Sequence, residues 1–207
     1  MKRGVLWRMT QPVKYRVEDV SGVILAGGRG SRMQGEDKGL VMLNGKPLYQ
    51  HVLAILQPQV AEVCISANRH HQRYQESGCE VFADTFTGFA GPLAGMLAAL
   101  QRISTDWAVF ASCDTPFLPT NLVSQLWQGK NAGAKAAWVR CGERDHPTLA
   151  LVHRSLAPQL EEYLQRGDRK LMVFLKEVGG SAVNFDNQQA FINLNTPEDL
   201  ALFQGKR

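Results

Sequence analysis

Long hydrophobic runs, closely spaced cysteines and a large excess of either charge are all missing from this sequence of 207 residues. Its longest apolar stretch, Gly88 to Leu100, is interrupted by Pro92 and by glycines and is too short to cross about 30 Å of hydrocarbon, so no membrane partner is expected. The four cysteines, Cys64, Cys79, Cys113 and Cys141, lie 15, 34 and 28 positions apart. Without a C-x-x-C pair they signal neither a zinc site nor a disulfide framework. The formal charge is only +4. Residues 1–20 hold five basic side chains (Lys2, Arg3, Arg8, Lys14, Arg16) against Glu18 and Asp19, which leaves a net single positive charge for everything after them. A basic body that grips phosphate backbones is therefore not expected, and no nucleic-acid partner with it.

The N-terminal residues also lack the apolar core of a secretion signal, because Val5-Leu6-Trp7 is far shorter than the roughly 7–15 residues required. A cytoplasmic protein is expected, with residues 1–19 as a basic extension and 20–207 as one domain. What is present is enough apolar material for a core: 44% of residues are hydrophobic and 20% charged, which excludes a disordered chain.

From Val20 onward short apolar runs alternate with amphipathic segments, the pattern of strands and crossover helices. Strands are predicted at 22–26, 62–67, 80–83, 107–112, 136–140, 148–153, 182–186 and 191–194. Helices are predicted at 47–57, 72–76, 92–101, 119–127, 156–166, 170–176 and 197–203. The runs at 22–26 and 107–112 are apolar almost throughout, as strands covered on both faces must be. The last helix is well signed, with Thr196 as N-cap, Pro197 at the first helical position and Asp199 three residues after the cap. The expected fold is α/β: a single Rossmann-like three-layer domain with a mainly parallel central sheet flanked by helices.

Immediately after the first strand comes LAGGRGSRMQGEDKG, residues 25–39. Ligands of open α/β sheets bind at that carboxyl edge. Glycines let backbone N–H groups approach phosphate oxygens, and Arg29, Arg32 and Lys38 offer cations. The loop is neither of two familiar ones: a dinucleotide fingerprint would need Gly where Met33 stands, and a P-loop would need Lys and Ser/Thr directly after Gly35. A second segment converges on the same edge if the strands are parallel, since WAVFASCDTP puts Asp114 directly after a buried strand. A carboxylate beside a triphosphate suits Mg²⁺, which takes one or two carboxylates plus phosphate oxygens and water.

The loop resembles the pattern L-A-G-G-x-x-x-R-M-x-x-x-D-K, matched at Leu25, Ala26, Gly27, Gly28, Arg32, Met33, Asp37 and Lys38. That is the signature of nucleotidyltransferases that activate a phosphorylated acceptor. The wider match is similar to the molybdenum cofactor guanylyltransferase family. NGKPL at 44–48, ANRH at 67–70, GPLAGM at 91–96, CDTPFLP at 113–119, GERDHPT at 142–148 and FINLNTPEDL at 191–200 stand in that family's order. The resemblance runs from about Val20 to Lys206.

The resemblance implies GMP transfer from GTP to the terminal phosphate of Mo-molybdopterin with release of pyrophosphate. It implies Mg²⁺ as the cofactor and, as partners, GTP, Mo-molybdopterin and proteins that donate molybdopterin or mature molybdoenzymes. It assigns nucleotide binding to Leu25, Ala26, Gly27, Gly28, Lys38, Ser66, Asp84 and Asp114, and metal binding to Asp114. Arg32, Lys38 and Asp114 become the catalytic residues, and Asn193 and Asn195 lie on the acceptor side. Ser66 stands where better-known members carry Asn, so a base contact through its shorter side chain is in doubt. The loop residues Arg144, Asp145 and His146 are candidates to line an acceptor pocket, without a catalytic role for His146. Cytidylyl or other nucleotidyl transfer to a pterin or sugar phosphate, and a non-catalytic nucleotide or pterin carrier, remain as alternatives.

Overall fold

Val20 to Leu25, VSGVIL, is buried at every position and forms strand β1. Only a strand with helices over both faces demands such a sequence. The computed structural model describes residues 15–27, 37–86 and 91–205. After β1 come a small hairpin, β2 (Met42–Leu43) and β3 (Lys46–Pro47), and helix α1 (Leu48–Leu56). Asn44 and Gly45 turn that hairpin with φ of 49° and 81°, as a two-residue type I′ turn requires. Then follow β4 (Glu62–Ser66), α2 (His71–Gln75), β5 (Glu80–Phe82), α3 (Pro92–Arg102), β6 (Trp107–Ser112) and α4 (Leu122–Gly129). The chain continues through β7 (Ala136–Cys141), β8 (Arg144–His153), α5 (Ala157–Gln165), α6 (Leu171–Glu177), β9 (Ser181–Phe185) and α7 (Pro197–Phe203).

Seven strands form one sheet in the order β5-β4-β1-β6-β8-β7-β9. Pairs β5–β4, β4–β1, β1–β6 and β7–β9 are parallel, whereas β8 runs antiparallel to both β6 and β7. The expected mainly parallel three-layer α/β domain is what forms. Side chains alternate across it. Ile24, Ile65, Val109 and Leu151 meet α1 and α4 on one face, and Val23, Phe110, Ala150 and Val152 meet α3, α5 and α6 on the other. Burying each such Leu, Ile or Phe contributes roughly 1.5–3 kcal/mol.

Two expectations change. The segment 191–194 is not a strand: a single 3₁₀ turn, Gln188–Phe191, precedes irregular backbone. Phe191 is spent on the core and Leu194 donates one backbone bond to Asp114 O at 2.9 Å, so the run FINL closes the domain without joining a ladder. β8 begins at Arg144, earlier than expected, because a hairpin with β7 extends it. At the other end of the chain, the side chain of Tyr15 packs against Trp127 and its hydroxyl donates to the carbonyl of Gln59. The last residues of the 1–19 segment thus rest on the domain. Among the described residues no helix is long and apolar enough to cross a membrane, and all four cysteines are free.

Candidate active site

The register of β1 decides where the expected site residues meet. Leu25, at its carboxyl end, pairs with Ser66 of β4 on one side and Ser112 of β6 on the other. Ala26 N donates to Ser66 O at 2.8 Å and Cys113 N to Leu25 O at 3.1 Å, so the three strands end level. The chain therefore delivers Leu25–Gly27, Ser66 and Asp114 to one edge.

Lys38 reaches that edge from a 3₁₀ turn, Lys38–Leu40. Its Nζ donates to Asp114 Oδ2 at 3.4 Å and to Asn195 Oδ1 at 2.6 Å. The two charged side chains are 23% and 8% exposed, a partly desolvated pair at the rim of the core. Asp114 Oδ1 accepts from Ser112 Oγ at 2.5 Å, which fixes the carboxylate plane. Asn195 is held by the cap of α7: Asp199 Oδ2 accepts from the backbone N–H groups of Asn195 and Thr196, both at 2.9 Å. The Thr196 hydroxyl in turn accepts from Asp199 N, closing a capping box. Asn193 is anchored nearby, its Oδ1 accepting from the Thr115 hydroxyl at 3.3 Å. Three segments distant in sequence thus put Lys38, Asp114, Asn193 and Asn195 together.

A second group lies beside Gly27. Asn68 Nδ2 donates to Asp84 Oδ2 at 2.8 Å, and Asp84 N donates to Asn68 Oδ1 at 3.1 Å. A Cβ on Gly27 would stand 3.2 Å from the Asn68 amide nitrogen, so this pair flanks the start of the glycine loop. Ser66 is placed differently. It is 3% exposed, and its Oγ faces α3, 2.6 Å from where a Cβ on Gly95 would be. Two residues further on, the side-chain amide of Asn68 lies beside Gly27. The expectations for Gly28 and Arg32 fall outside the described residues.

Arg144, Asp145 and His146, expected in a loop, instead open strand β8 in its hairpin with β7, and they separate into different roles. Asp145 accepts from Arg140 at 2.7 and 3.1 Å and from the Trp138 indole at 2.8 Å, and the Arg140 bond holds its carboxyl below the usual range. His146 is buried against the Phe191 ring, 5.5 Å between centroids. Burial lowers its pKa, assisted by Arg144 and opposed by Asp145. The Cys113 thiol beside the site is pushed well above its ordinary range by burial and by Asp114, which leaves it protonated and inert. A cavity of ≈ 450 Å³, lined by Glu62, Cys64, Cys79, Glu80 and Arg102 among others, opens at the opposite ends of β4 and β5 and contains none of the site residues.

Reasoning from sequence passed over Asp37 as a structural residue, Asn68 and Tyr74. Asn68 sits in the quoted ANRH motif, a signal that was available. Tyr74 has none, because its partner is 37 positions away.

A glycine-opened loop, a lysine and an aspartate thus meet at the carboxyl edge of a mainly parallel sheet, where α/β domains of this class bind their ligands. Residues 22–182 match the model of the MobA-like NTP transferase domain. A molybdenum cofactor guanylyltransferase of Serratia proteamaculans is 55% identical over 191 residues, 92% of this chain and 96% of that protein. One from Yersinia pestis is 56% identical over 91% of this chain and 97% of its own length. Among solved structures, the molybdopterin-guanine dinucleotide biosynthesis protein A of Archaeoglobus fulgidus superposes with a TM-score of 0.71 at 28% identity, covering 89% of this chain and 96% of that one. The chain belongs to the MobA-like NTP transferase family and, within it, to the molybdenum cofactor guanylyltransferases.

Proposed function

We infer that this chain transfers GMP from GTP to the terminal phosphate of Mo-molybdopterin, forming the guanine dinucleotide form of the molybdenum cofactor and releasing pyrophosphate. The observation that carries the reading is the Lys38 ammonium held between Asp114 and Asn195 at the edge where β1 opens into its glycine loop. In the reaction an oxygen of the acceptor phosphate forms a bond to the α-phosphorus of GTP. The bond from that phosphorus to the oxygen bridging the β-phosphate breaks, and its electron pair leaves on pyrophosphate. A phosphate monoester is already anionic at neutral pH, so no side chain has to remove a proton. What the protein must supply is position and positive charge.

Leu25, Ala26, Gly27 and Gly28 offer backbone groups to the nucleotide. Asp84, oriented by Asn68, faces the same ligand, and Ser66 contributes through its backbone. Lys38, with Arg32, meets the charge on the α-phosphate and on the departing pyrophosphate. The Lys38 ammonium is kept at the edge by Asp114 and Asn195, so little reorganisation is needed when phosphate oxygens arrive. Asn193 and Asn195 form the acceptor side.

The donor set fits Mg²⁺. Asp114 presents a hard carboxylate oriented by Ser112, and Mg²⁺ takes one or two carboxylates with its other ligands from phosphate oxygens and water. Asp114 would hold Mg²⁺, which when bound neutralises charge on the phosphate oxygens. The reading places the enzyme in the cytoplasm, receiving its acceptor from molybdopterin-donating proteins and passing product to molybdoenzyme-maturation proteins.

The test is Asp114→Ala assayed for pyrophosphate release and dinucleotide formation. A fall of about 10²–10³ in turnover is expected, the usual loss for one preorganised charge-stabilising group. Turnover near that of the wild type would overturn the site assignment.

A further inference from the structure

Lysine is a flexible cation on a four-carbon stem, and a useful one in catalysis must be aimed. The turn that presents Lys38 is anchored by an unusual pair. Asp37, immediately before it, is only 7% exposed. Although it adjoins a lysine, its Oδ1 accepts instead from Gly39 N at 3.2 Å and from the Tyr74 hydroxyl at 2.6 Å. Tyr74 is fully buried, on α2, with its ring edge-on to Tyr49 of α1 at 4.9 Å. Burial raises the phenol pKa strongly, helped by Cys113 and by the Asp37 bond, so the hydroxyl stays a donor. The turn lies directly on this phenol: a Cβ at Gly39 would come within 3.1 Å of the Tyr74 ring carbon Cζ and closer still to the hydroxyl. Only glycine fits there.

We propose that Asp37 and Tyr74 are positioning residues for Lys38, clamping the turn so that the ammonium points at Asp114 and Asn195. The bond from Tyr74 does two things. It fixes the backbone on both sides of Lys38 through Asp37 and Gly39, and it occupies the carboxylate that would otherwise compete for the ammonium. The clamp also ties the Lys38 turn to the Asn68–Asp84 pair beside Gly27, because α2 follows directly on the loop that carries Asn68. The proposal rests on the nucleotidyl-transfer reading above.

The test is a double-mutant cycle on the full chain, comparing Tyr74→Phe with the wild type and with Lys38→Ala. Turnover is read by pyrophosphate release, and affinity for Mg²⁺-pyrophosphate by calorimetry, which needs no turnover. Tyr74→Phe keeps the ring and loses one hydroxyl. Turnover should fall roughly tenfold or more, as for small misplacements of a reacting group, with a smaller change in KM for GTP. In the Lys38→Ala background the same substitution should leave pyrophosphate affinity unchanged, because the group it aims is gone. Asp37→Asn retains an acceptor for both donors and should recover most of the activity that Asp37→Ala loses, which keeps the test decisive if Tyr74→Phe folds poorly. Equal losses from Tyr74→Phe with and without Lys38, or equal losses from Asp37→Asn and Asp37→Ala, would overturn the proposal. Failure of the transfer reading itself would look different, as absence of pyrophosphate release from the wild type.

Discussion

Replacing Lys38 by methionine should separate stability from activity at this site. The Nζ–Oδ2 distance of 3.4 Å gives a gross attraction of about 5 kcal/mol at an effective dielectric constant near 20. Much of that is offset by the desolvation of two groups that are 23% and 8% exposed. Removing one partner strands the Asp114 charge with Ser112 as its remaining donor among the described residues, and for a pair still partly in water we expect a loss of about 1–3 kcal/mol in unfolding free energy. Adding Asp114→Asn removes the stranded charge and should restore most of that stability. Activity should move the other way. Lys38→Met should lose about 10²–10³ in turnover, equivalent to roughly 2.7–4 kcal/mol of transition-state stabilisation, and the double variant should recover none of it. Urea unfolding measures the first quantity and pyrophosphate release under saturating GTP the second. A Lys38→Met protein within about threefold of wild-type turnover, or a double variant no more stable than Lys38→Met, would refute the reasoning.

Gly95→Ala should destabilise the protein by up to about 2 kcal/mol, because its methyl would meet Ser66 Oγ at 2.6 Å and overpacking outweighs the helix-propensity gain. Removing that oxygen with Ser66→Ala should return the double variant to at least wild-type thermal stability. Stability should also fall with acid. His146 and His153 both have folded-state pKa values below the ordinary 6.5, so the unfolded chain binds protons first as pH drops through that value. Stability is then complete above 6.5 and declines from there down to the lowered values. Urea midpoints measured about one unit above and one unit below 6.5 should show the loss, and His146→Gln should shrink it. An unchanged slope in that variant would exclude His146 as a source.

Much of this arrangement was legible in the sequence, and the exceptions have physical causes. Asp114 could be placed because an apolar run marks a buried strand, and a parallel sheet leaves only one edge for the residue after it. The cap at Thr196–Asp199 is local and was read correctly down to its residues. The run at 191–194 misled because apolar residues there cover the end of the core, a demand that looks like a strand when no partner is visible. The antiparallel start of β8 depends on a hairpin with β7 whose register shifts between Trp138 and Val139, which periodicity does not reveal. The clamp of Asp37 by Tyr74 joins a turn to a helix through one side-chain bond, and no sequence spacing encodes it. Ser66 shows the converse: the position is marked by the family pattern, but burial against Gly95 turns its hydroxyl to α3.

The central claim is that this site moves guanylate from GTP onto a phosphorylated pterin. The most direct test is to incubate the purified chain with Mo-molybdopterin and Mg²⁺, offering GTP and CTP separately and in competition, while measuring dinucleotide and pyrophosphate together. The account predicts guanine dinucleotide and pyrophosphate in equal amounts from GTP, with little product from CTP. Equal use of CTP, or binding of GTP without any pyrophosphate, would contradict it.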